Sequence, residues 1–211
     1  TNLYVKGGKH MGKVLNGFTP DTAKNLQLDA GILVLGLDKP EEFAGEIKTP
    51  ARSIGATSGG AKFSATPEIR NIFEDLDGSR GSYMSGNVID NWEITLTATI
   101  KEMTAENLRL SLGASDVTKA TEDGKYDKIT GRVEVKDGDY LKNICWLGTI
   151  NGSDEPIIIE LKNVLNTAGM SFTASDKATG GVDLELKAHF DLINPTEVPF
   201  VIYTPKATAT P

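Results

Sequence analysis

The side chains with a capacity for chemistry are few and far apart. There are two histidines, His10 and His189, and one cysteine, Cys145. That set lacks zinc-site spacing, and one thiol cannot close an intrachain disulfide. His189 lies on the polar side of an alternating stretch, which predicts a solvated imidazole. Cys145 sits in an apolar run, where a thiol behaves as a small buried hydrophobe. Asp75-Leu76-Asp77-Gly78 resembles part of a calcium loop, but the position that would supply a bidentate Glu is Gly86. Asp137 and Asp139 flank Gly138, a pattern that turn chemistry explains without a catalytic acid pair. Gly55-Ala56-Thr57-Ser58-Gly59-Gly60 lacks the Gly-Lys-Ser/Thr ending of a phosphate loop and reads as a flexible entry to a strand. No nucleophile elbow is present. Asn151-Gly152-Ser153 matches a glycosylation sequon, read as chance in a chain without a secretion signal. The expectation is no catalytic, cofactor-binding or metal site, and an interaction or structural protein rather than an enzyme.

The elements that would position these residues centre on Trp92 to Gly113. Trp92, Ile94, Leu96, Ala98 and Ile100 alternate with Glu93, Thr95, Thr97, Thr99 and Lys101. A strand sends successive side chains to opposite faces, so this reads as a strand with one buried and one polar face. The period then changes. Thr104 can cap a helix, with Glu106 in its first turn. Met103 and Leu108 are placed for a hydrophobic staple, Ala105, Leu108 and Leu112 share a face, and Gly113 can end the helix. Gly59 to Pro67 alternates as a strand, with Pro67 ending it or lying on an edge. Glu68 to Asp90, punctuated by Gly78, Gly81 and Gly86, reads as a protruding hairpin or irregular loop, about 70–90. Ser115 to Lys125 reads as a polar connection. Ile129 to Val135 alternates, and Asp137-Gly138 signals a hairpin turn into a return strand, Tyr140 to Ile150. Further strands are expected at Pro156 to Val164, Gly169 to Ala174, Val182 to Phe190 and Phe200 to Tyr203. The predicted fold class is mainly β: a sandwich or barrel of two packed antiparallel sheets with one flanking α-helix at about 104–112.

At 211 residues the chain can bury one sizeable core, or two small ones. A hydrophobic fraction of 39% with 24% charged residues fits a soluble globular protein. The net charge of −7 argues against gripping nucleic acid through phosphates, which needs a basic surface. No stretch approaches the length of a membrane span, and the expectation is a soluble protein made in the cytoplasm. Residues 1–22 carry Lys6, Lys9 and Lys13 with no acid before Asp21, a basic arm on an acidic body. The expected organisation is an N-terminal arm (1–22), one β domain (23–203) and a C-terminal arm (204–211).

Two blocks carry a family resemblance. GATSGGAKFSATPEIRNIFEDLDG, followed by a glycine-punctuated loop and VIDNWEITLTATIKEMTAENLRLSLGASD, spans Gly55 to Asp116; HFDLINPTEVPFVIY spans residues 189 to 203. Together they resemble the major tail protein, or tail tube protein, of long-tailed bacteriophages of Gram-positive bacteria. The match covers about two-fifths of the chain and rests on the order and spacing of the blocks. It implies two packed antiparallel sheets with a flanking helix, two arms and a long loop. It also implies hexameric rings stacked into a virion tail tube, assembled in the bacterial cytoplasm, through which DNA passes without specific binding. The implied partners are further copies of the chain, then tape measure, tail terminator and tail-tip proteins, with no cofactor and no membrane. Candidate inter-ring contacts are Arg70, Asp75, Asp77 and Arg80. Candidate lumen-facing residues are Glu93, Thr95, Thr97 and Thr99 on one strand and Asp183, Glu185 and Lys187 on another. The alternative is a β-sandwich module that binds carbohydrate or a receptor.

Overall fold

The computed structural model describes residues 17–19 and 21–206. Most of the expected N-terminal arm and the last five residues of the C-terminal one lie outside that range. Eleven strands are present among the described residues: β1 (Ile32–Leu35), β2 (Arg52–Ser53), β3 (Thr57–Asn71), β4 (Asn87–Ile100), β5 (Ser115–Thr118), β6 (Lys128–Gly131), β7 (Leu141–Gly148), β8 (Ile157–Asn166), β9 (Ser171–Thr173), β10 (Gly181–Ala188) and β11 (Phe200–Tyr203). One α-helix, α1 (Ala105–Leu112), follows β4. Nine strands form one antiparallel sheet in the order β2-β1-β7-β8-β10-β4-β3, with β11 also on β8 and β9 also on β10. The fold is thus mainly β, and its two layers are one continuous sheet. The join is short: Leu186, Lys187 and Ala188 of β10 pair with Asn166, Leu165 and Val164 of β8.

The alternation read in the sequence is what closes the sheet on itself. Ile94, Leu96, Ala98 and Ile100 of β4 and Val182, Leu184, Leu186 and Ala188 of β10 are buried in one cluster with Leu33, Ile144, Leu161 and Val164 from the other half. Burying each Val, Leu or Ile of this set contributes about 1.5–3 kcal/mol. Phe200 of β11 meets Phe63 and Trp92, each with ring centroids 5.7 Å apart, so the two halves also touch through β3 and β11. A second cluster, Val34, Cys145, Leu147 and Ile158, lies on the opposite face of β1, β7 and β8 under Phe43, Ile47 and Tyr203. Burial pushes the Cys145 thiol up to about 12, consistent with an inert buried side chain.

The helix differs in detail from its sequence reading. Thr104 caps it, its hydroxyl accepting from the Asn107 N–H at 3.2 Å. The buried face, however, is Asn107, Leu110 and Ser111, whereas Leu112 is exposed. The reason is polar anchoring. Asn107 Nδ2 donates to the Ile54 and Glu102 carbonyls at 2.8 and 3.1 Å, and its Oδ1 accepts from Arg52 at 3.1 Å. A buried amide with three partners turns the helix by fixing one side of it. Gly113 ends the helix at φ 71°, and a Cβ there would meet the Asn166 carbonyl at 2.6 Å.

The Asp137-Gly138 hairpin does not form. β6 pairs with β5, inside the stretch expected to be a polar connection, while β7 pairs with β1 and β8. Val133 and Val135, which made the alternation look like a strand, are exposed. The turn is held differently. The Asp139 carboxylate accepts from the Lys136 N–H at 2.8 Å and pairs with Arg132, whose guanidinium also lies 3.0 Å from Asp116 on β5. His189 is half-buried rather than solvated, with its ring edge-on to Tyr140 at 5.2 Å and Nδ1 3.2 Å from the Asn163 carbonyl.

Candidate functional site

The seven residues expected on polar strand faces come together on one surface. Directly opposed residues in an antiparallel pair share a face. Asp183 opposes Thr99, Glu185 opposes Thr97 and Lys187 opposes Thr95. On the other side of β4, Ser58 opposes Thr99, Lys62 opposes Thr97, Ser64 opposes Thr95 and Thr66 opposes Glu93. The outer face of β10, β4 and β3 is therefore a set of rows: Asp183-Thr99-Ser58, Glu185-Thr97-Lys62, Lys187-Thr95-Ser64 and Glu93-Thr66. In these rows three carboxylates stand against two ammonium groups, and Lys101, whose Nζ reaches the Thr179 carbonyl beside Gly181 at the end of the same face, brings the charges close to balance.

Two contacts order this face. The Thr99 hydroxyl donates to Asp183 Oδ1 at 2.6 Å, and Lys187 Nζ lies 3.6 Å from Glu93 Oε1. Both are cross-strand contacts between short or partly extended side chains, so the charges are held close to the sheet. The bulge in β3 between Ser58 and Ala61 is made by Gly59 and Gly60, at φ 79° and 77°. A residue with a Cβ is strained there. This reassigns the glycine run: it is a bulge inside the strand. A groove of about 440 Å³ crosses the same rows between the bulge, Ala168–Gly169 and Ser171. No side chain in the rows is aromatic.

The segment read as a protruding hairpin or irregular loop at about 70–90 is the end of a hairpin, with strand up to Asn71 and again from Asn87 and an irregular turn over 72–86 between them. β3 continues past Pro67, which pairs with Trp92, to Asn71, which pairs with Asn87. A proline is tolerated because β3 is the edge of the sheet and needs a ladder on one side only. Beyond Trp92 the hairpin leaves the body. Ile69, Val88 and Ile89 are 56%, 40% and 50% exposed, and Arg70 and Asp90 are exposed too. Neither face of this distal half is covered. Its turn adds Ile72, Leu76, Tyr83 and Met84 to the exposed apolar set.

The turn is nonetheless well organised. Phe73 and Tyr83 meet edge to face at 5.8 Å, the Phe73 N–H donates to Asn71 Oδ1 at 2.9 Å, and Asn71 Nδ2 donates to the Ser82 hydroxyl at 2.8 Å. Gly86 is buried under Phe73, and a Cβ there would meet the ring at 2.4 Å. Of the four residues expected at this end, Arg70 is engaged within the chain. It grips Asp90 in a two-pronged pair at 2.8 and 3.1 Å, which holds the Asp90 carboxyl below its ordinary range. Asp75, Asp77 and Arg80 are exposed in the turn. The apolar residues of the hairpin were not singled out in the sequence. A signal was available: Ile69, Ile72, Leu76, Val88 and Ile89 exceed what a solvated loop needs.

No protein-family profile matches the chain, and no curated protein sequence matches it. Among solved structures it is similar to a chain in the virion of a native gene transfer agent particle. The sequence identity is 13% and the TM-score 0.40, with 79% of this chain and 96% of that chain covered. At this distance the likeness assigns no role to any residue.

Proposed function

We propose that the chain is a structural virion protein without catalytic activity, whose copies form hexameric rings stacked into a tail tube. The observation that carries the reading is the division of labour along β3 and β4. Their inner half carries a continuous polar face of nearly balanced charge shared with β10, and their outer half is an uncovered hairpin with exposed apolar side chains. A conduit for DNA needs a surface to which phosphates do not adhere, because affinity for nucleic acid comes from neutralising them. A stacked assembly needs a contact element that reaches beyond its own subunit. The long free edge of β3 would be a liability in an isolated protein and is removed if neighbouring copies pair or cover it. In this reading Glu93, Thr95, Thr97, Thr99, Asp183, Glu185 and Lys187 face the lumen, and the hairpin with Asp75, Asp77 and Arg80 meets the next ring. Tape measure, terminator and tail-tip proteins would be the heterologous partners, and the tube would be assembled in the host cytoplasm.

The test is negative-stain electron microscopy of the purified protein across a concentration series. Rings or hollow tubes of uniform width are expected. Dispersed particles at every concentration, together with binding in a glycan screen, would overturn the reading in favour of a carbohydrate- or receptor-binding module.

A further inference from the structure

A groove of about 710 Å³ lies away from both the polar face and the hairpin. Its floor is apolar, formed by Phe43, Pro156, Ile158 and Tyr203. Its rim carries Glu41, Glu42 and Glu155, opposed by Lys206. Glu42 is neutralised by Lys39 at 2.8 Å. Glu41 and Glu155 are exposed and have no ion-pair partner among the described residues. Burial, then Glu160 and Glu41, push the Tyr203 phenol up to about 12.

The same chain contains a complementary segment. Residues 1–16, TNLYVKGGKHMGKVLN, hold three lysines, no acid, and apolar side chains at Leu3, Tyr4, Val5, Met11, Val14 and Leu15. The chain leading from them is pinned close to the groove. Asn151 Nδ2 donates to the Ala23 carbonyl at 3.0 Å, and the Gly152 N–H donates to the Lys24 carbonyl at 2.8 Å. Glu155 and Pro156, which form one wall, follow that turn directly. Sixteen residues span at most roughly 55 Å when extended, so reach is not limiting. A tethered segment is also present at an effective concentration on the order of millimolar. A groove with an apolar floor and two unpaired glutamates then needs only weak intrinsic affinity to be filled.

We infer that residues 1–16 dock into this groove of their own chain, with lysines against Glu41 and Glu155 and apolar side chains on the Phe43–Tyr203 floor. The inference is independent of ring formation. It is tested by zero-length carbodiimide cross-linking of an equal mixture of unlabelled and ¹⁵N-labelled full-length protein, read by mass spectrometry. Links from Lys6, Lys9 or Lys13 to Glu41 or Glu155 within one isotopic chain are expected. They should fall several-fold in the Glu41→Gln/Glu155→Gln variant and at high salt, because surface ion pairs are screened. Both positions are exposed, so the variant is expected to fold, which a melting curve checks. Links that join light to heavy chains would overturn docking in the same chain and make a second copy the occupant. Absence of any such link would overturn the proposal outright.

Discussion

β3 and β4 are one hairpin under two regimes. Between Ile94 and Ile100 every second side chain of β4 is buried in the core. Between Asn87 and Asn91 the same strand keeps the same ladder with β3, yet Val88 and Ile89 stand in solvent. The backbone hydrogen bonds are alike in the two halves, so they cannot account for the difference in cover. In the inner half, the buried side chains set the free energy of the fold. In the outer half, the ladder, the Asn71–Phe73–Tyr83 turn and the Arg70–Asp90 pair hold the shape, and the apolar side chains are left over for another surface. An isolated two-stranded hairpin is marginally stable in water. This one is usable because it is the continuation of strands anchored in the core.

The largest expected difference between the halves is therefore in stability. Leu96→Ala removes a fully buried side chain and should cost about 2–5 kcal/mol in chemical denaturation. Ile89→Ala removes a side chain of similar size from a half-exposed site, and the unfolding midpoint of the unassembled protein should shift little. Comparable losses from the two substitutions would mean that the distal hairpin packs on its own subunit in solution.

Assembly should invert that ranking. Ile69 and Ile89 are opposed on the hairpin, so Ile69→Asp/Ile89→Asp places two carboxylates at the centre of its apolar surface. The monomer should keep its melting temperature to within a few degrees while sedimentation and electron microscopy show loss of rings or tubes. Tubes of normal length in this variant would remove the hairpin from the contact surface and turn attention to the edge of β3.

The inner half was legible in the sequence and much of the outer half was not, for a physical reason. Strict alternation from Trp92 to Lys101 arises only where one face is buried, so the strand, its core set and its polar set could all be read directly. That the polar sets of β4 and β10 share one face was not readable, because it depends on the register that opposes Thr97 to Glu185. Alternation at Ile129 to Val135 misled because nothing buries Val133, and Arg132 instead ties β6 to β5 through Asp116. The face of α1 was misassigned because periodicity counts apolar residues, whereas Asn107 fixes the helix with three hydrogen bonds. The glycines of 68–90 left a protruding hairpin and an irregular loop both open; the structure takes the hairpin, and Gly86 is there because Phe73 leaves no room for a side chain.

The smallest expected effect separates two carboxylates that hold polar contacts in different settings. Burial pushes Asp139 up, but the Lys136 N–H, Arg132 and Arg109 outweigh it and hold the carboxyl below its ordinary value. Asp90 is held down by Arg70 in an exposed pair. A carboxyl depressed in the folded state contributes stability that is fully present above its unfolded value, near 3.8, and is lost as pH falls through the folded one. Melting temperatures from neutral pH to about pH 3 should therefore fall less steeply in Asp139→Asn than in the unaltered protein, from a lower starting point. Asp90→Asn should leave the acid limb nearly unchanged, because water and salt screen an exposed pair. If Asp90→Asn flattened the acid limb as much as Asp139→Asn, the distal hairpin would belong to the same cooperative unit as the core. The division between a half that stabilises and a half that contacts would then fail at its weakest joint, the bulge beside Asp90 where the ladder shifts register between Glu68 and Ile69.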